Sequence, residues 1–234
     1  MVQENLLLLP TRQLLDQFGA GNPTPGSGSA AALSGLLGCK LGQTVCSISL
    51  KKPELQPDWP TLKYLHDRLT NEFEPTLAEF FQKDSELFDQ LISLRRLRDQ
   101  EVDPVKKRRY RDDALAKQRD STEAALSIAG TCITLAEINL QVFQTGWKTV
   151  RGDSGAAISC ALSGVSASLF ASYLNLKDFR DSEWLRNTKQ NADDLFTRFR
   201  ETQTKLVTLA FGLQEEAERT LASDQLSLPL DDES

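Results

Sequence analysis

Gly28, Ala31, Gly35, Gly38 and Gly42 stand three or four residues apart, and that spacing limits the fold more than any other feature of the chain. On a helix it puts five small residues on one face. Each mid-helix glycine costs roughly 0.5–1 kcal/mol relative to alanine. A helix that keeps several of them must use the vacated space, so the spacing predicts a backbone in direct contact with its neighbours. The stretch 154–174 repeats the pattern with Ala156, Cys160, Gly164, Ala167 and Ala171. Both stripes read first as a tightly packed core or subunit interface, and second as the walls of a flat ligand site.

Helical periodicity continues through nearly all of the chain, and alternating β-branched runs are missing. The expected fold is all-α: a multihelical bundle with long and interrupted helices, two of them small-residue-rich core helices. Thr11 is placed to cap a first helix that ends at Gly19 or Gly21. Ser27 or Gly28 opens a second, running to about residue 50, and Pro53, Pro57 and Pro60 mark a loop after it. A third helical region covers 62–98, with Pro75 set to kink or divide it. Asp103-Pro104 reads as N-cap and first-turn proline of a helix that reaches Gly146, with a break near Asp120-Ser121. Asp153 caps the next helix, to about residue 176. Asp181-Ser182 starts the last, from Trp184 to about residue 221. Residues 1–222 are expected to form a single helical domain and 223–234 an acidic, flexible tail.

Charge narrows the function. A net charge of −6 argues against a general nucleic-acid binder. Cys39, Cys46, Cys132 and Cys160 form no C-x-x-C pair and sit in apolar stretches, as reduced core thiols of a cytoplasmic protein do. His66 is the single histidine, which leaves almost no material for a histidine metal site or a histidine-driven triad. The N-terminus lacks the basic region and cleavage site of a signal peptide. The segment 30–50 is apolar enough to raise a membrane question, but Lys40, Gln43 and many Ser and Gly argue against a span.

A stiff loop, Gly21-Asn22-Pro23-Thr24-Pro25-Gly26-Ser27-Gly28-Ser29, leads into the first small-residue helix. Proline restricts the backbone and glycine lets another group approach it. The loop therefore presents backbone N–H groups at a helix start, suited to a carboxylate, a phosphate or a carbonyl oxygen. Arg151-Gly152-Asp153-Ser154-Gly155 precedes the second such helix in a similar arrangement.

The run from Gly21 through Ala30-Ala31-Ala32-Leu33 resembles the opening motif of the cyclodeaminase/cyclohydrolase family, S/T-P-T-P-G-G-G-S followed by alanines. That family comprises the C-terminal half of formiminotransferase-cyclodeaminase and the stand-alone methenyltetrahydrofolate cyclohydrolases. Val45-Cys46, Asp84-Ser85-Glu86-Leu87-Phe88, Gly152-Asp153-Ser154-Gly155-Ala156-Ala157 and Asn175-Leu176 resemble its later elements, in order. The resemblance spans roughly residues 12–210. It implies an all-α bundle, a homodimer and a folate site near the glycine-rich loop. It implies hydrolysis of 5,10-methenyl-tetrahydrofolate to 10-formyl-tetrahydrofolate, or deamination of 5-formimino-tetrahydrofolate to the methenyl form. It implies no cofactor beyond the tetrahydrofolate substrate and no metal; neither a nucleic-acid nor a membrane partner is expected. Ser27, Gly152 and Ser154 depart from the family pattern, which motivates an alternative: a non-catalytic helical homodimer that binds folate or a protein partner.

Either reaction needs acid or base groups. Asp153 is the first candidate, with a plain N-cap as its bland reading. Asp84 is the second, with a solvated helix face as its bland reading. Thr24, Pro25, Gly26, Ser27, Gly28 and Ser29 are the expected substrate-binding residues, and the hydroxyls among them serve equally well as helix caps. Lys40, a charge within a small-residue helix, either snorkels to the surface or faces a polar site. Cys46 reads as apolar packing and His66 as a surface or core residue. Lys106-Lys107-Arg108-Arg109-Tyr110-Arg111 could draw a polyglutamate tail, but with Asp112 and Asp113 behind it reads better as a solvated helix face.

Overall fold

The computed structural model describes residues 5–227, with side chains through Leu221. Seven α-helices follow one another: α1 (Thr11–Gly19), α2 (Ser27–Ser49), α3 (Trp59–Arg68), α4 (Glu74–Gln100), α5 (Pro104–Thr145), α6 (Arg151–Leu176) and α7 (Glu183–Ser227). No strand occurs among the described residues, and the expected all-α bundle is what the chain forms.

α2 lies at its centre, and its glycines admit three neighbours. A methyl group on Gly28 would fall on the Asp84 carboxyl of α4. At Gly35 it would lie 2.8 Å from the Cys132 sulfur of α5, and at Gly38 2.7 Å from the Ala157 carbonyl oxygen of α6. At Gly42 it would fall on the Asn139 side chain of α5. Gly164 returns the approach from α6, where a methyl would stand 2.8 Å from the Ala31 carbonyl oxygen. The order of these contacts makes α2 antiparallel to α4 and α6 and parallel to α5. The stripe read from the α2 sequence is thus the buried face, with Gly28, Ala31, Gly35, Gly38 and Gly42 all inside.

On α6 the expected stripe is displaced. The buried small residues are Ser154, Ala157, Ala161, Gly164, Ser168 and Ser172, whereas Ala156 is exposed and Cys160, Ala167 and Ala171 are half-buried. Small residues cover most of this helix, so spacing alone does not select the inward face. All four cysteines are free thiols. Burial pushes the thiols of Cys39, Cys46 and Cys132 up to about 12, which makes them packing groups rather than nucleophiles.

Leu62, Leu65, Leu69, Phe73, Leu77 and Phe81 form one continuous buried row along α3 and α4. The chain turns between these helices through a π-helical turn, Leu69–Phe73. As expected, Pro75 divides this helical region, the π-helical turn just before it separating α3 from α4. It sits in the first turn of α4, where its missing N–H costs nothing. Cys39 donates to the Leu69 carbonyl at 3.1 Å within that turn.

Other boundaries differ from expectation. Pro10, not Thr11, precedes α1, and no side chain caps that helix. The proline-rich loop is a 3₁₀ turn, Pro53–Asp58, with Pro60 already in the first turn of α3. α5 runs unbroken through Asp120-Ser121: Thr122 bonds to the Gln118 carbonyl at 2.7 Å and Lys117 pairs with Asp120 at 3.0 Å, so polar side chains are satisfied on the helix itself. Asp103 caps α5 as expected, accepting from Val105 N–H at 2.8 Å. α6 begins at Arg151, so Asp153 lies inside its first turn and is not the cap. Ser182 caps the start of α7, which continues to Ser227, past the expected end near 221. The remainder of the expected tail, 228–234, lies outside the described residues.

By length and composition α2, α5 and the stretch Lys148–Leu176 are each apolar enough to cross a membrane. In this bundle their apolar faces are turned largely on one another.

Candidate functional site

The loop before α2 is held in place at three points. Thr24 donates to Asp89 of α4 at 2.7 Å, Pro25 is buried behind a cis Thr24–Pro25 peptide, and Gly28 lies against Asp84. The N–H groups at the start of α2 face an internal anion. Asp84, only 8% exposed, accepts from the Ser29 hydroxyl at 2.8 Å and also from the Ser29 backbone N–H. The Ser29 hydroxyl lies 3.0 Å from that of Ser85. Sequence reasoning offered this helix start to a ligand; the structure gives part of it to a carboxylate of its own. Only a residue without Cβ at position 28 lets that carboxylate in.

Asp84 is in conflict with its surroundings. Burial raises its carboxyl above the usual range, and the two hydrogen bonds from Ser29 pull it partly back. Raised pKa values of this kind are what acid/base groups at functional sites show. Asp84 is therefore not the solvated helix face of its bland reading.

A cavity of about 210 Å³ opens beside it. Pro23, Gly26, Ser27 and Gly28 form one wall, Asp84 and Phe88 of α4 a second, Ser121 and Ala125 of α5 a third, and Ala171, Leu174 and Asn175 of α6 the fourth. Gln118, 3% exposed, steadies the rim: it donates to the Asn175 carbonyl at 3.2 Å and to Asp178 at 2.7 Å, and accepts from Arg95 at 2.8 Å. The site thus combines a buried carboxyl with a raised pKa, loop backbone groups, an aromatic ring and small side chains. That suits a flat polar heterocycle whose nitrogen atoms need a proton donor.

The predicted residues divide between this site and other places. Gly26, Ser27, Gly28 and Asp84 line the cavity, and Thr24, Pro25 and Ser29 stand behind it. Asp153 is exposed in the first turn of α6, some 18 residues before Ala171. At 1.5 Å per residue that is about 27 Å along the helix, so one chain does not bring Asp153 and Asp84 together. Lys40 points outward and pairs with Glu74 at 2.5 Å, where Gln43 joins it at 2.8 Å. Phe88, Ser121, Ala125, Ala171 and Leu174 were not singled out as site residues. The available signal was Gln118, Ser121 and Thr122 together, three polar residues buried on one helix.

The sequence model of the formiminotransferase-cyclodeaminase family matches residues 10–194. The methenyltetrahydrofolate cyclohydrolase of Methylorubrum extorquens is 28% identical over 168 residues, 71% of this chain and 79% of that protein. The crystal structure of a formiminotetrahydrofolate cyclodeaminase from Thermotoga maritima has the same fold. It matches with a TM-score of 0.76 at 15% identity, covering 89% of this chain and 98% of that one.

Proposed function

This chain belongs to the formiminotransferase-cyclodeaminase family, and on that premise we propose that it hydrolyses 5,10-methenyl-tetrahydrofolate to 10-formyl-tetrahydrofolate, with Asp84 as the acid/base group. The observation that carries the reading is the buried, upshifted Asp84 carboxyl on the wall of the cavity beside the glycine-rich loop. The curated relative named as a cyclohydrolase supports this branch over deamination.

In the proposed reaction water adds to the methenyl carbon and passes a proton to the Asp84 carboxylate. The bond between that carbon and N5 then breaks, and Asp84 returns a proton to N5. One further proton leaves with the product. The upshifted carboxyl is a stronger base than an ordinary aspartate, and once protonated it can return that proton as the acid. Ser29 holds it in one orientation through two hydrogen bonds. The cavity, about 210 Å³, is smaller than the roughly 300–1,000 Å³ of pockets that enclose drug-sized ligands. In this reading it takes the bicyclic head and leaves the rest of the substrate outside. The proposal includes a homodimer, for which the outer face of α6, with Phe170 80% and Leu174 64% exposed, supplies an apolar surface.

The test is loss of the near-ultraviolet absorbance of methenyl-tetrahydrofolate on adding protein. Acceleration over buffer that falls about 10²–10⁴-fold in Asp84→Asn supports the proposal. No acceleration overturns the hydrolase reading, and ammonia release from formimino-tetrahydrofolate then decides whether the other reaction of the family takes its place. If both fail while a reduced folate still binds by calorimetry, the chain is a non-catalytic binder.

A further inference from the structure

A second, larger cavity lies away from the one beside Asp84. A cleft of about 990 Å³ lies where the end of α4, the first four turns of α5 and the α6–α7 connection meet, and it shares no lining residue with the smaller site. Six cations surround it: Arg98, Lys107, Arg108, Arg111, Arg119 and Arg180. In a chain of net charge −6 this is a local reversal of sign.

The basic run on α5 is therefore not uniformly a solvated face. Lys107, Arg108, Arg111, Leu115 and Arg119 share one side of the helix and face the cleft, while Arg109 turns away toward Asp113 at 3.9 Å. The row from Lys107 to Arg119 covers 12 residues, about 18 Å of helix. The two carboxylates that line the cleft are already engaged. Asp178 is held by Gln118 at 2.7 Å and Arg95 at 3.6 Å, and Asp181 by Arg186 at 2.6 Å. Arg98 and Arg111 each pair with a sequence neighbour, Asp99 and Asp112. Lys107 acts on Asp99, whereas the side chains of Arg108 and Arg180 have no hydrogen bond or ion pair among the described residues. Positive charge is thus left over at the centre of the cleft.

Its floor is apolar. Leu115 and Phe179 lie between the cations. Phe179 is braced by Trp184, with ring centroids 4.7 Å apart, and Arg119 lies over the Trp184 ring at 4.5 Å. A simple oligocarboxylate would use the charges and ignore this floor. An aromatic base joined to a chain of phosphates uses both, because guanidinium forks match phosphate oxygens in pairs and a ring packs on a ring.

We propose that this cleft binds a nucleoside polyphosphate, its phosphates on Arg108, Arg111 and Arg180 and its base against Phe179 and Leu115. The proposal is independent of the folate reading, since the measurement contains no folate. ATP is titrated into the full chain by calorimetry at physiological ionic strength. The expected result is saturable binding with one ATP per chain. Affinity should fall at least tenfold in Arg108→Glu/Arg180→Glu, and in the milder Arg108→Gln/Arg180→Gln should the first pair not fold by circular dichroism. It should fall at least threefold in Phe179→Ala and stay within twofold in Arg109→Glu. Absence of saturable binding overturns the proposal. So does an equal loss in Arg109→Glu, which would mark a diffuse field. Binding of γ-linked triglutamate as tight as that of ATP would mark an oligocarboxylate site, and an unchanged Phe179→Ala would remove the base; either result also overturns it.

Discussion

Two helix starts in this molecule look alike in sequence and come to opposite ends. Each reads as a polar, glycine-containing turn ahead of a small-residue helix, although residues 152–155 prove to be the first turn of α6 itself. At the start of α2, Asp84 of α4 packs over the helix end, is buried there and takes hydrogen bonds from Ser29. At the start of α6 Arg151 pairs with Glu216 of α7 and Ser154 is buried, but no acid is enclosed: Asp153 is exposed, and Gly152 and Gly155 have no atom within 4 Å of where a Cβ would stand. A helix N-terminus attracts anions wherever it occurs. It shifts a titrating group and builds a cavity only when a second element closes over it and excludes water.

The comparison breaks most easily on activity. Asp84→Asn should lower methenyl-tetrahydrofolate hydrolysis about 10²–10⁴-fold, while Asp153→Asn should stay within threefold of the parent, both read by the absorbance assay. Equal losses would erase the distinction. Stability separates the same two places by glycine. Gly28→Ala drives a methyl into the Asp84 carboxyl and should cost about 2–3 kcal/mol in urea unfolding. Gly155→Ala, in an open helical turn, should gain about 0.5–1 kcal/mol. Ser29→Ala removes one of the hydrogen bonds that favours the Asp84 anion, at about 1–2 kcal/mol, and should move the acid limb of the pH–rate profile upward.

The smallest expected effect is in pH dependence. The folded-state pKa of Asp84 is raised, so the native chain binds the proton more tightly than the unfolded one. Its contribution to stability is full below the ordinary aspartate pKa and is lost as pH rises through the raised value. Asp84→Asn should therefore gain in melting temperature relative to the parent between pH 4 and pH 8. A constant difference across that range would mean that the carboxyl is not strained by burial.

What could be read from the residues follows the same division. Proline and glycine act on the backbone directly, so the loop before α2, the Asp103-Pro104 start of α5 and the inward face of α2 were legible. Asp153 was misplaced because an aspartate suits an N-cap and a first turn equally, and the 3₁₀ turn at Lys148–Val150 lets α6 begin three residues earlier. The break expected at Asp120-Ser121 did not occur, because polar residues can bond within a helix as well as end it. The cavity was half legible. Its loop and Asp84 carry motif residues, but Ala125, Ala171 and Leu174 contribute only by position, and position is a property of the packed bundle.

The glycines of α2 also set a timetable for the nascent chain. A helix with this many glycines is weak in isolation, and it needs faces offered by α4, α5 and α6. The last of these ends at Leu176. The chain from Ser27 through Leu176 must therefore leave the ribosome before α2 has a complete set of neighbours. Until then a long apolar segment is left for chaperones to shield.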